Sequence, residues 1–156
     1  MATELPAISP VLDVEPLFRA VRDDVQYYSC DTNGVLRKLS ASAFNDRDME
    51  PSVDRASLRP GGPSDSRKSD TDGVISLVAR EVRSIKAVVT LDKKAHPVNN
   101  HQVDVVHAPE IDNHSHALVK TAPTVANDST FKRLKEALCR LAESKGWAFP
   151  PHSLRS

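Results

Sequence analysis

Aromatic side chains are scarce in this chain, at 4% of its 156 residues, and the apolar share of 39% is also low. That composition supports one domain with a modest core and implies that part of the chain lies outside it. Cysteine is nearly absent. Cys30 and Cys139 stand far apart and form no Cys-x-x-Cys pair, so they make no four-ligand zinc site without histidine. They read as two reduced thiols. Neither sign of charge is in excess, since 21 basic and 21 acidic side chains cancel. The balance removes the electrostatic argument for nucleic acid or an anionic membrane, although a local basic face would restore the first. No stretch approaches the ~18 apolar residues of a membrane span. The first residues, MATELPAISPVLDVEPL, lack the basic start and apolar run of a signal peptide. A soluble cytoplasmic protein without a membrane partner is expected. Two common chemical signatures are missing as well. Gly61-Gly62 is followed by no Gly-Lys-Ser/Thr, and no serine sits in a Gly-x-Ser-x-Gly elbow.

What is present is organised. Residues 1–13, with Pro6 and Pro10, read as a flexible arm. Leu17, Phe18, Val21 and Val25 then fall at helical spacing, which predicts a short helix over PLFRAVRDDV; a short strand at LFRAV is the alternative. Asn33-Gly34 predicts a hairpin turn between VQYYSC and VLRKLS. SASAF and a charged turn follow, and Ser52 to Asp54 resume a strand. Residues 56–72, ASLRPGGPSDSRKSDTD, carry Leu58 as their one large apolar side chain and read as a mobile or disordered insertion. VISLV and KAVVTL read as strands, AREVRSI as helical, and HPVNNHQ as a turn. VDVVHA and HSHALV read as strands around the loop PEIDN. Last comes an amphipathic helix from Ser129 to Lys145, with Phe131, Leu134, Leu138, Leu141 and Ala142 on one face. Asp128 or Ser129 caps its start and Gly146 ends it. Its other face carries five basic and two acidic residues: Lys132, Arg133, Lys135, Arg140 and Lys145 against Glu136 and Glu143. Such a face is ordinarily solvated; the functional alternative is contact with phosphate or a partner. Trp147 and Phe149 are expected to tuck against the body ahead of a flexible tail, 150–156. The fold class is α+β, one domain over 14–149 with a small, mainly antiparallel sheet.

The segment HAPEIDNHSHALV places His107, His114 and His116 within ten residues. If the hairpin is symmetric, His107 faces His114 and Val105 faces His116, and alternation puts all three imidazoles on one side. Such a trio is a candidate site for zinc or another divalent ion, with Glu110 or Asp112 orienting a ligand. A slip of one residue separates the trio, and the alternative is that Ser115, Ala117 and Val119 face the core and leave the histidines exposed. His116 alone is a candidate general acid–base. Lys38, Ser40, Phe44 and Asp46 are candidates for the edge of a substrate pocket beside this hairpin. Asp46, Asp48, Glu50 and Asp54 lack a cation-binding spacing and read as a polar turn. Cys30 carries no sign of activation as a nucleophile.

Three blocks, KLSASAF with SVD, GVISLVAREV and NHSHALV, resemble in order those of a family of small bacterial proteins without an established activity. The likeness spans roughly residues 17–120. It implies a shared site at Lys38, Ser40, Phe44, His116 and Ala117. Lys38 stands where the family pattern has arginine, which weakens any bidentate anion contact there. His107 and His114 fall outside the pattern.

The function expected from these features is that of a non-catalytic binding or accessory subunit of a bacterial multi-protein system, with a protein partner and no resident cofactor. One alternative is a small hydrolase or transferase on a phosphate-containing or nucleotide substrate, with His116 as acid–base and Lys38 and Ser40 as anion contacts. Another is a metal-binding domain through His107, His114 and His116.

Overall fold

The computed structural model describes residues 4–155; residues 1–3 of the arm and residue 156 of the tail lie outside the described residues. In chain order the strands and helices are β1 (Pro16–Val21), β2 (Tyr28–Cys30), β3 (Leu36–Leu39), β4 (Ser52–Arg55), β5 (Gly73–Val78), α1 (Ala79–Arg83), β6 (Val89–Leu91), β7 (Pro97–Asn100), β8 (Gln102–His107), β9 (His116–Ala122), α2 (Asp128–Lys145) and β10 (Trp147–Phe149). Six strands form one antiparallel sheet in the order β10-β5-β1-β4-β9-β8. The pairs β2–β3 and β6–β7 are separate hairpins. The α+β class read from the sequence is the class observed.

One face of the sheet carries the core. Leu17, Val21, Val53, Ile75, Leu77, Val103, Val105, Ala117 and Val119 meet Phe131, Leu134, Leu138 and Ala142 of α2. Leu36, Leu39 and Phe44 close it on one side, and Val82, Ile85 and Val88 on another. Helix α2 begins one residue ahead of the expected start. Its cap is Asn127, whose side chain accepts from the Thr130 N–H at 2.9 Å. Gly146 ends it at φ 74°, a left-handed conformation that a side chain disfavours.

Two local expectations give way to long-range pairing. PLFRAV is strand β1 instead of a helix, held between β4 and β5 with Leu17 opposite both Arg55 and Leu77. The helical spacing was incomplete: Val25, its fourth apolar position, is 89% exposed. Leu17 faces the core and Phe18 the other side of the sheet, and both are buried, so the adjacent pair imitates a helical stripe. HPVNNHQ contains strand β7, paired with β6, and not only a turn.

The ends and the polar insertion are tied down by charge and hydrogen bonds. Within 56–72, 3₁₀ turns span Ala56–Leu58 and Pro63–Ser66, and buried Asp72 accepts from the Lys68 and Ser69 N–H groups. Carboxylates and backbone donors organise this loop, where the composition pointed to too little apolar surface. In the arm, buried Arg55 donates to Ser9 O, Ser9 Oγ and Pro10 O, and to both carboxylate oxygens of buried Glu15. Val11 is buried beneath it. In the tail, Asp23 accepts from Ser153 N and Oγ, and the Arg67 and Arg155 guanidiniums lie over the Phe149 ring. Close packing of the tail requires Gly73, where an added Cβ would come within 2.8 Å of the Trp147 ring.

Candidate functional site

The sheet face opposite α2 is partly open, and a cleft of about 1140 Å³ lies on it. Strand register builds its floor. Asp54 is paired with both Phe18 and His116, so His116, Asp54 and Phe18 run in a row across three strands. The walls come from the loop after β3, from residues 66–72 and from the β8–β9 turn.

His116 is the best-defined chemical group of this cleft. Its Nδ1 lies 2.8 Å from Ala108 O, an acceptor, so Nδ1 carries the proton and Nε2 is left with a lone pair in the neutral ring. Nε2 is 3.9 Å from a Glu110 carboxylate oxygen, beyond hydrogen-bond reach. The neighbouring Asp54 is fully engaged: one oxygen accepts from Asn113 Nδ2 at 2.8 Å, the other from Arg59 at 2.8 and 3.1 Å. Asn113 Oδ1 in turn accepts from the Ser115 N–H and hydroxyl. This chain of bonds fixes the turn that carries His116.

A second polar centre lies at the other end of the cleft. Arg19 donates to Ala43 O, Asn45 O, Ser52 O and Asp46, and its guanidinium stands over the Phe44 ring at 5.3 Å. Burial holds the Arg19 guanidinium below its ordinary value, with Asp46 acting against that. Burial also pushes the Asp46 carboxyl up, but bonds from Ser52 and the Arg19 charge more than offset it, so the carboxyl lies below its usual range. Asp46 thus remains an anion that holds a loop, and its acceptor capacity is spent on Ser52, Arg47 and Arg19.

The three histidines do not share a face. His107 pairs with Ala117, not His114, and the symmetric register is replaced by one in which Val105 meets Val119 and Val106 meets Leu118. Both nitrogens of buried His107 are used: Nδ1 accepts from the Ser9 N–H at 3.1 Å and Nε2 lies 2.8 Å from His114 O. His114 is exposed in the turn. His116, one residue before Ala117, faces the opposite side of the sheet. Ser115, Ala117 and Val119 are the buried set, but the pairing is displaced by three residues from the symmetric register and His107 is buried with them instead of exposed. Among the described residues no group of three or more His, Cys, Asp or Glu side chains is placed to hold a metal ion.

The other candidates are dispersed. Lys38 and Ser40 line a separate groove of about 820 Å³ between the β2–β3 hairpin and α2, while His116 lines the sheet cleft. Phe44 is fully buried in the core, in reach of no ligand. Of that block only Asp46 lines the cleft. Arg19, Arg59 and Asn113 escaped the sequence reading because no motif marks them; the partner that Arg59 and Asn113 share, Asp54, lies five and fifty-nine residues away. Among the described residues no helix is long and apolar enough to cross a membrane. No family model, curated protein or solved structure matches the chain.

Proposed function

We propose that this protein is a non-catalytic binding subunit that docks on a protein partner, as an accessory component of a bacterial multi-protein system. The observation that carries this reading is the N-terminal arm. Arg55 and His107 hold its backbone in place, yet Leu5, Ile8, Leu12 and Val14 are 52%, 72%, 61% and 67% exposed. Ordering a segment costs conformational entropy, and four exposed large apolar side chains within ten residues of an ordered segment suit an interaction surface. The cleft supports the same reading. Arg19, Asp46, Asp54 and Arg59 are already paired with one another or with backbone, and hold shape instead of presenting free reactive groups.

A second reading rests on His116 alone. Its free Nε2 opens on a large polar cleft, the arrangement of a general base in a small hydrolase or transferase. One preparation tests both. Protein recovered from its own cell should show the native mass of a stable complex, which Ile8→Glu with Leu12→Glu disrupts at unchanged Tm. A monomer with turnover that His116→Asn abolishes would reverse the order of the two readings.

A further inference from the structure

We infer that the groove between the β2–β3 hairpin and α2 binds a phosphate group. This site is distinct from the sheet cleft and from the apolar arm, and does not depend on the reading of either. Lys38 from β3 and Lys132, Lys135 and Arg140 from α2 line the groove, against two carboxylates, Asp128 and Glu136. The hydroxyls of Ser29, Ser40 and Ser42 line the same groove. The tertiary structure therefore joins two features that are a hundred residues apart in sequence, the basic face of the last helix and the Lys38–Ser40 block.

The state of each cation separates the anchoring groups from the structural ones. Arg140 is spent on Glu143 at 2.8 Å and Leu39 O at 3.3 Å, and Glu143 also accepts from the Leu39 N–H. This set fastens α2 to β3. Lys135 donates to Asn45 Oδ1 at 2.7 Å and stands over the Phe131 ring. Lys38 is exposed and has no ion pair among the described residues. Lys132 has only a 3.8 Å contact with Glu136, the length of a loose, solvent-screened pair. Two ammonium groups are thus free to move onto an anion, beside hydroxyl donors. Ser40 Oγ accepts from the Ser42 N–H at 3.3 Å, which leaves its own proton available to donate. Lysine ammoniums act as point charges, so the site suits a dianionic phosphate terminus in preference to a flat carboxylate. Tyr28 is the one aromatic ring lining the groove, and it packs edge-on against Trp147 at 5.0 Å, so no base-stacking platform is present. The phosphate is recognised as a terminus, on a small molecule or on a modified side chain.

Pyrophosphate, ADP and a phosphoserine peptide, titrated separately and followed by amide shifts of the labelled protein, test the inference. Saturable shifts confined to residues around Lys38, Ser42, Lys132 and Lys135 are expected with at least one probe. Lys38→Gln and Lys132→Gln should each weaken binding several-fold, Lys38→Glu with Lys132→Glu should abolish it, and each lost lysine should flatten the salt dependence. The strongest probe tells a small-molecule terminus from a protein-borne one. Both lysines are exposed, so the variants should keep the parent Tm and amide pattern. Shifts scattered over all basic surfaces, no binding of any probe, or affinity unchanged in the double charge reversal would overturn the inference.

Discussion

The residue whose loss should matter most is Arg55. It is 5% exposed, and its guanidinium is shared between the Glu15 carboxylate and the carbonyls of the arm. Deleting one partner of a buried ion pair strands the other's charge, at a cost of about 3–5 kcal/mol. Glu15→Ala is therefore expected to destabilise the fold by about 3 kcal/mol in urea, and the paired replacement Glu15→Leu with Arg55→Met by much less. A single variant as mild as the double would remove this account. The pair also sets an acid limit. Burial pushes the Glu15 carboxyl up, but bonds from Arg55 and Ser57 pull it further down, below its ordinary 4.5. A depressed folded-state value means that the stabilisation is complete above the unfolded-state value and is lost as pH falls through the folded one. Asp46 and Asp23 are depressed in the same direction. The carboxylate contribution to stability should fall below about pH 4.5, with a shallower acid slope in Glu15→Ala.

Among the elements, strand β8 shows how an exposed sheet edge is closed. The Val119 N–H is given to Pro51 O, so the Val105–Val119 pair is of the non-hydrogen-bonded kind and the Val105 backbone groups face outward. Both are occupied from within the chain. The Val105 N–H donates to Asp104 Oδ1 at 2.7 Å, and Val105 O accepts from Arg83 Nη2 at 3.2 Å. Arg83 is held by Asp104 and Asp13, which raise its guanidinium above its ordinary value. An unpaired edge is a template for a second chain, and charged plugs are a common defence. Arg83→Ala with Asp104→Ala should cost about 1 kcal/mol or less in stability, since the ion pairs are partly exposed. The variant should nevertheless self-associate in sedimentation velocity where the parent stays monodisperse. Equal sedimentation of the two proteins would count against the edge-plug account.

At the scale of the whole molecule, α2 spans both sides of the question of order. Cys139 lies on its buried face, fully covered, and burial pushes its thiol up to about 12. Its Sγ points to Ser40 O at 3.4 Å, across the joint between α2 and the turn after β3. Cys30 is half-buried on the short hairpin. A thiol reagent at pH 8 should therefore modify Cys30 in the native protein, and Cys139 only at the rate of global unfolding. Rapid labelling of both thiols under native conditions would show that α2 detaches locally.

Legible in the sequence were the α+β class, the amphipathic helix that ends at Gly146 and the hairpins around Asn33-Gly34 and the PEIDN loop, although the second strand begins at His116 and not at His114. These depend on short-range periodicity and turn chemistry, which a single segment carries. Only the tertiary structure decided the identity of β1, because burial on both sheet faces disguises a strand as a helical stripe. It also decided the site. A register shift sends His107 into the core side and His116 to the open face, and no local signal fixes a register whose determinants are Pro51, Ser9 and Ala108. Lys38 and Ser40 were candidates for anion contact by residue type alone. The structure places them in one groove with Lys132 and Lys135, and not with His116, because the side on which a hairpin meets a helix is settled by packing.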